Sequence, residues 1–249
     1  MKKIALLLAL LMTLSVCFVG CDSKDTLVVG ITDFAPMDYK DADGNWIGFD
    51  ADMAKAFAES MGMEVEFVEI EWDNKIAELD AGTIDVVWNG MTLTDEVKGG
   101  MDCSNPYCNN AQVVVVASDK AAQYQTKESL AGLKFAVEAG SAGEAAVKEL
   151  GNQYNSVKDQ ATALMEVAAG TSDACVIDLL MAGAMIGEGT SYPDLTYTVK
   201  LTTEEYGVGF KKGSEYTAKL NQFFKDAYAD GSMMETAKKY GVQESIIAQ

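Results

Sequence analysis

Two stretches of the chain, WDNKIAELDAGTIDVVWNG at 72–90 and TALMEVAAGTSDACVID at 162–178, share one construction. Each reads as an amphipathic helix, the tripeptide Ala-Gly-Thr, one variable residue, an aspartate and a short apolar strand. The glycine suits a helix C-cap, where left-handed backbone is open to a residue without a Cβ. The strand is apolar throughout, as a parallel strand is when helices cover both faces of its sheet. One copy sits in each half, so the chain reads as α/β construction carried out twice. Helix-Gly-strand junctions recur in any α/β protein, and coincidence is the competing reading of the five aligned positions. If the copies belong to two lobes, Asn89 and Gly90 in one and Asp178 in the other fall at the carboxyl ends of parallel strands, where open α/β sheets bind ligands.

The rest of the chain fits that frame. TLVVGI has strand length and is followed by the loop TDFAPMDY and the turn signal DADGNW. Phe49, Met53, Phe57 and Met61 then recur at four-residue steps, which predicts a helix ending before Gly62, and EVEFVEI predicts a strand. AQVVVVASD at 111–119 is an apolar strand fit to cross between lobes, and TEEYGVGFKK at 203–212 offers the return crossing. After Gly213 the pattern is helical, with Leu220, Phe223, Phe224 and Tyr228 as a core-facing stripe. Trp88, inside an apolar strand, reads as core.

Composition excludes several functions. The 249 residues hold 19 lysines, no arginine and no histidine against 38 acids, a net charge of −19. No basic patch is available to neutralise a phosphate backbone, so nucleic acid is not an expected partner. Without imidazole, His-based acid/base catalysis, Ser-His and Cys-His nucleophile pairs and His-containing metal sites are ruled out. No cofactor or metal site is expected.

The N-terminus, MKKIALLLALLMTLSVCFVGC, has a basic start, an apolar run from Ile4 to Val19 and small residues before Cys21. The run falls short of the about 20 residues that span a bilayer and reads as a secretion signal over 1–20. The ending FVGC resembles the lipobox of bacterial lipoproteins, with Phe18 in place of the usual leucine, and implies lipidation of Cys21. Residues 21–25 are then a tether. Cys103, Cys108 and Cys175 remain; three is an odd number, and they read as small apolar core residues, with a Cys103–Cys108 bridge as the alternative.

Several ordered segments together resemble one family, the extracellular solute-binding proteins of ABC transporters, in its polar amino-acid-binding group. They are GFDADMA at 48–54, AGTIDVVWNGMTLT at 81–94, DCSNPY at 102–107, VEAGSAGE at 137–144, ACVID and EEYGVGF. The resemblance implies a two-lobed periplasmic-binding-protein-like fold, each lobe a mostly parallel sheet flanked by helices, joined by two crossover strands. Lobe 1 would comprise 26–111 and 205–249, and lobe 2 would comprise 112–204. It also implies hinge closure on a small amine-containing solute, an amino acid or derivative. The protein would be a monomer on the extracellular face of the bacterial membrane, delivering its ligand to an ABC permease, and not an enzyme.

Carried over by residue, the resemblance implies first-lobe ligand contacts from Asp33, Phe34, Trp72, Asn89, Gly90, Met91 and Thr92. Second-lobe contacts come from Ser141 and Ala142 in the GSAG turn and from Asp178, the acid that receives the ligand ammonium. The competing reading of Asp178 is an ordinary helix N-cap.

One position departs from the family. Where its arginine grips the ligand carboxylate, this chain has Val97, and no arginine stands elsewhere to replace the fork. A buried carboxylate without its partner costs on the order of 3–5 kcal/mol. Three readings are open: Lys98 swings in; the ligand keeps its ammonium but lacks a buried carboxylate; or backbone amides at Thr92 and the GSAG turn suffice. The sequence favours the second, and a lysine ammonium reaching into the cleft would restore the amino-acid reading. A ligand-sensing surface protein and a dehydratase-like enzyme on the same scaffold are the other functional classes.

Overall fold

The computed structural model describes residues 25–249, so the secretion segment and Cys21 lie outside the described residues. The first half runs β1 (Thr26–Ile31), the short hairpin β2 (Tyr39–Lys40) and β3 (Trp46–Ile47), α1 (Phe49–Ser60) and β4 (Glu64–Glu69). A 3-10 turn at Trp72–Asn74 leads into α2 (Lys75–Ala81), then β5 (Val86–Thr92), α3 (Asp95–Gly100), β6 (Asp102–Cys103) and β7 (Cys108–Asn110). The chain crosses into β8 (Gln112–Ala117), β9 (Lys134–Glu138), α4 (Ala142–Leu150), β10 (Gln153–Val157), α5 (Gln160–Ala169), β11 (Ala174–Asp178), α6 (Leu179–Met185) and β12 (Leu195–Lys200). It returns through β13 (Glu204–Phe210) and closes with α7 (Tyr216–Asp230) and α8 (Ser232–Lys239).

The two main sheets have matching plans. One has the order β4-β1-β5-β13-β6, with β7 also on β13; the other has the order β10-β9-β11-β8-β12. In each, three strands are parallel, and the crossover strand pairs antiparallel with the third: β13 on β5 and β8 on β11. The sheets are therefore mixed, because a strand arriving from the other lobe enters without the helical connection that parallel pairing requires. The fold is α/β and two-lobed, with two crossover strands. The crossings are bonded to each other, β7 running antiparallel to β13 with Asn110 opposite Glu204.

The repeated motif builds the same corner in both sheets. Gly82 and Gly170 end α2 and α5 in left-handed backbone, φ 75° and 72°. Thr83 and Thr171 donate their hydroxyls to the carbonyls of Glu78 and Glu166, at 3.0 and 3.1 Å, pairing acceptors that a helix end leaves open. Asp85 and Asp173 accept from the neighbouring strands' Val28 N and Lys134 N, at 2.8 and 2.9 Å. The aligned residues thus do the same local work, and β5 and β11 then run fully buried towards their ligand-facing ends.

Around the first sheet, α1 buries Phe49, Met53 and Phe57, and Leu220 and Phe224 come in from α7. Trp88 is core, 1 % exposed, with its ring 6.3 Å from Phe57 and 5.6 Å from Phe224. A fully buried aromatic of this kind stabilises the fold by about 1.5–3 kcal/mol. All three described cysteines are free, Cys108 and Cys175 buried and Cys103 half-buried.

Candidate functional site

A cavity of about 280 Å³ lies between the two sheets, at the small end of ligand pockets and suited to one small solute. The first lobe lines it with Trp72, Lys75, the β5 end Asn89–Thr92 and the segment from Thr94 to Val97. The second lobe contributes Glu138, Gly140, Ser141, Ala142, Ala145, Gln160 and Asp178, and Gln112 enters from the crossover strand. Trp72, Asn89, Gly90, Met91, Thr92, Val97, Ser141, Ala142 and Asp178 thus line one cavity.

Asp33 and Phe34 are not among the lining residues. Phe34 is 2 % exposed, edge-on to Tyr206, and fills the space above Gly90, so its ring is engaged in the core. Asp33 sits on the exposed side of the same loop. Partial desolvation, then the charge of Asp159, raises its pKa. The reason is local register: Thr32, one residue earlier, is the one that turns inward, donating through its amide and its hydroxyl to Asn89 Oδ1 at 3.1 and 2.8 Å.

Those bonds also redefine Asn89. Its amide donates to Thr32 O at 3.0 Å and to Asp38 Oδ2 at 2.8 Å, so its hydrogen-bonding atoms are engaged inside the first lobe. Gly90 has φ +52° and donates its N–H to Asp50 Oδ2 at 2.6 Å. Burial raises Asp50 to about 6 despite bonds from Tyr107 and Gly90. Burial, then the Asp50 charge, holds Asp38 well above the usual carboxylate range. These carboxyls brace β5 from behind and do not face the ligand space.

Asp178 ends β11 and is the N-cap residue of α6, yet its side chain makes no capping bond. The carboxylate turns toward the hinge instead. Oδ1 accepts from Asn110 Nδ2, from Gln112 Nε2 at 3.0 Å and from Tyr206 Oη at 2.6 Å, and Oδ2 accepts from Gln160 Nε2. Asn110 and Gln112 also donate to Glu204 Oε1, at 2.7 and 2.8 Å, and Thr92 Oγ1 joins at 3.0 Å. The two crossover strands therefore tie Asp178 to a second carboxylate. Burial, then the Glu204 charge, pushes Asp178 well up, while Tyr206 and Gln160 pull it back. Each carboxylate oxygen offers two lone-pair positions and Oδ2 accepts one bond, from Gln160, so it retains an acceptor position for a cation.

Val97 is 4 % exposed and packs with Met91, Met101 and Leu79. Lys98 does not replace an arginine there. It is exposed and lines a separate depression with Asp102 and Cys103. Among the described residues, the cation that lines the cavity is Lys75, which the sequence reading missed. Its ammonium lies 4.9 Å from the Trp72 ring centroid and donates to Trp72 O at 3.1 Å and, across the cleft, to Gly140 O at 3.0 Å. Burial lowers its pKa against the opposing pull of Glu96, Glu138 and Asp73. The signal was present, since Trp72 and Lys75 are three apart at a helix start and share a face.

Beyond the Gly140 carbonyl begins α4. Ser141 caps it, its hydroxyl accepting from Glu144 N at 3.0 Å, and Glu144 Oε2 accepts from Gly140 N at 3.2 Å. Among the described residues the amides of Ala142 and Gly143 have no acceptor. Glu138 also escaped the sequence reading, although a charged residue closing the apolar strand KFAVE occupies the position in its strand that Asp178 has in β11.

Two lobes, crossover strands and a polar cavity at facing strand ends define a solute-binding protein of the periplasmic-binding type. The family model of the bacterial extracellular solute-binding proteins, family 3, matches residues 27–243, and the chain belongs to that family. It is 31% identical over 224 residues to a probable histidine-binding protein of Neisseria gonorrhoeae, covering 87% of this chain and 83% of that one. It is also 31% identical to the arginine-binding extracellular protein ArtP of Bacillus subtilis, covering 87% and 86%. An ancestral arginine-binding protein bound to arginine superposes with a TM-score of 0.81 at 32% identity, covering 88% of this chain and 99% of that chain. An ancestral amino acid-binding protein, described as a precursor of cyclohexadienyl dehydratase, superposes at 0.79 with 34% identity.

Proposed function

We propose that this protein is a lipid-anchored extracellular receptor for a small zwitterion, an amino acid or close derivative, which it captures by closing its lobes and passes to an ABC permease. The observation that carries the reading is that an ammonium and a carboxylate line one cavity. The first is Lys75, with two of its three protons engaged, beside the unpartnered amides at the start of α4. The second is Asp178. A ligand carboxylate fits the first and a ligand ammonium the second, so Lys75 takes the part that Val97 leaves vacant. The sequence alone favours an amine without a carboxylate; the buried lysine reverses that preference. Histidine and arginine, named for the relatives, are zwitterions of this type.

Closure follows from the same contacts. Lys75 belongs to the first lobe and Gly140 to the second, so their 3.0 Å bond exists only when the lobes meet. A ligand touching both sides stabilises that state over the open one, in proportion to its differential affinity. The lobe boundaries are 26–111 with 205–249, and 112–204, close to the ends of the two sheets. The site needs no cofactor and carries out no reaction. The receptor works as a monomer, tethered through a lipid on Cys21, whose GC junction follows an apolar secretion segment.

A thermal-shift screen of amino acids against their decarboxylated counterparts tests this. A ligand at 100 times its Kd adds about 2.7 kcal/mol, which raises Tm by roughly 5–10 °C for a chain of this size. Amino acids giving the larger upshifts is the expected result; larger upshifts from the amines, or none from either set, would sink it. Calorimetric titration of Lys75→Met with whichever amino acid scores best gives a second readout. Loss of one charge-assisted bond of about 1.5–3 kcal/mol weakens binding roughly 10- to 150-fold.

A further inference from the structure

Glu138 ends β9 with its side chain in the cavity, 3 % exposed, and its Oε1 accepts no hydrogen bond. A buried carboxyl oxygen without a donor is unfavourable, and native structures rarely leave one so. The polar groups around it are engaged elsewhere: Asn89 with Thr32 and Asp38, Thr92 with Glu204, Gln160 with Asp178, and Lys75 with two carbonyls. Among the described residues no ion pair within 4.0 Å joins Glu138 to Lys75. Thr32 and Gln160 pull on the carboxyl through their side chains while bonded to Asn89 and Asp178, so Oε1 still lacks a donor of its own, which what fills the cavity can supply. Asp95 and Glu96 face that space beside the buried carboxyls of Glu138 and Asp178, and among the described residues Lys75 is the cation that lines it, so an entering positive group meets more acceptors than competing cations.

We propose that Glu138 recognises a second positive charge on the ligand, which makes the substrate class the dibasic amino acids, with a side chain ending in an ammonium or guanidinium. This rests on the zwitterion reading above, and assigns the ligand's third charged group. Burial pushes Glu138 up to about 8, against the pull of Thr32 and then the Lys75 charge, so the free receptor holds the carboxyl proton at neutral pH. When the distal cation arrives, the O–H bond of Glu138 breaks, the proton leaves to solvent and the carboxylate pairs with the cation. Affinity for a dibasic ligand therefore rises with pH up to about 8 and levels off above it.

The test is calorimetric titration of the intact mature protein with L-arginine, L-lysine and L-citrulline, the last being an analogue of arginine with an uncharged side chain, at pH 7 in two buffers of different ionisation enthalpy. The wild type is expected to prefer arginine or lysine over citrulline by about 100-fold, the magnitude of roughly 2.7 kcal/mol, and to release close to one proton per ligand. Glu138→Gln is expected to bring that preference within about tenfold and to abolish proton release. Equal losses for arginine and citrulline in Glu138→Gln, with no change in proton release, would overturn the assignment. So would a wild type that binds citrulline or another neutral amino acid best, in which case the amino-acid receptor stands and Glu138's role falls. If no amino acid binds the wild type, both readings fall. The wild-type selectivity and proton count need no variant, so a poorly folding Glu138→Gln does not protect the proposal.

Discussion

Asp178→Asn is expected to weaken amino-acid binding by two to three powers of ten. The ligand ammonium would be buried against a neutral amide, and leaving a buried charge without its partner costs about 3–5 kcal/mol. A second effect accompanies it. Asn110, Gln112, Tyr206 and Gln160 all donate to the Asp178 carboxylate, and an amide substitutes a donor for one of its oxygens, so at least one of these groups loses its acceptor. Stability should drop by about 1–3 kcal/mol, or several degrees of Tm. Titration calorimetry and thermal unfolding separate the two. Unchanged affinity with a lowered Tm would make Asp178 a hinge brace alone, since Asn110 and Gln112 link it to Glu204 across both crossover strands.

Gly90→Ala should be the most destabilising conservative change at the site. The residue has φ +52°, which costs a residue bearing a Cβ about 1–2 kcal/mol. The added Cβ would lie 2.4 Å from Phe34 Cε1 and 3.1 Å from Tyr206 Cε2. Phe34 cannot step back, because its ring is sealed edge-on against Tyr206 at 6.3 Å. Overpacking of this kind adds about 1–3 kcal/mol, giving roughly 2–5 kcal/mol in all and a Tm lower by about 5–15 °C. Ligand affinity should fall too, because β5 shifts with it. Thermal unfolding checks the first point and titration the second; a Tm within about 2 °C of wild type would contradict the packing described for Phe34.

Much of the architecture was legible in the sequence for a physical reason. The Ala-Gly-Thr-x-Asp unit encodes contacts that are mostly local: a left-handed glycine, a threonine closing the preceding helix end, and an aspartate at the entry of a buried strand. Periodicity fixed α1 through Phe49, Met53 and Phe57, and the apolar runs fixed β5, β8 and β11. Asn89, Gly90 and Asp178 followed from their place at the ends of those strands, and Met91 and Thr92 from the resemblance to the family.

What pattern could not supply was the direction in which loop and neighbouring side chains turn. Phe34 and Thr32 lie two apart on one loop, and packing against Gly90 and Tyr206, from strands far along the chain, decides that the ring fills core while the threonine grips Asn89. Lys75 and Gly140 are 65 residues apart, and only lobe closure brings an ammonium to that carbonyl and makes a cation of the first lobe part of an anion site at the start of α4. The sequence by itself determined α/β construction carried out twice and a chain without arginine, because those features rest on local backbone preference and composition, while the solute-binding scaffold and its ligand loop came from resemblance to a family. The tertiary structure alone decided the charged groups of the cavity, Lys75, Asp178 and Glu138, because burial and long-range hydrogen bonding choose which side chains face a shared space.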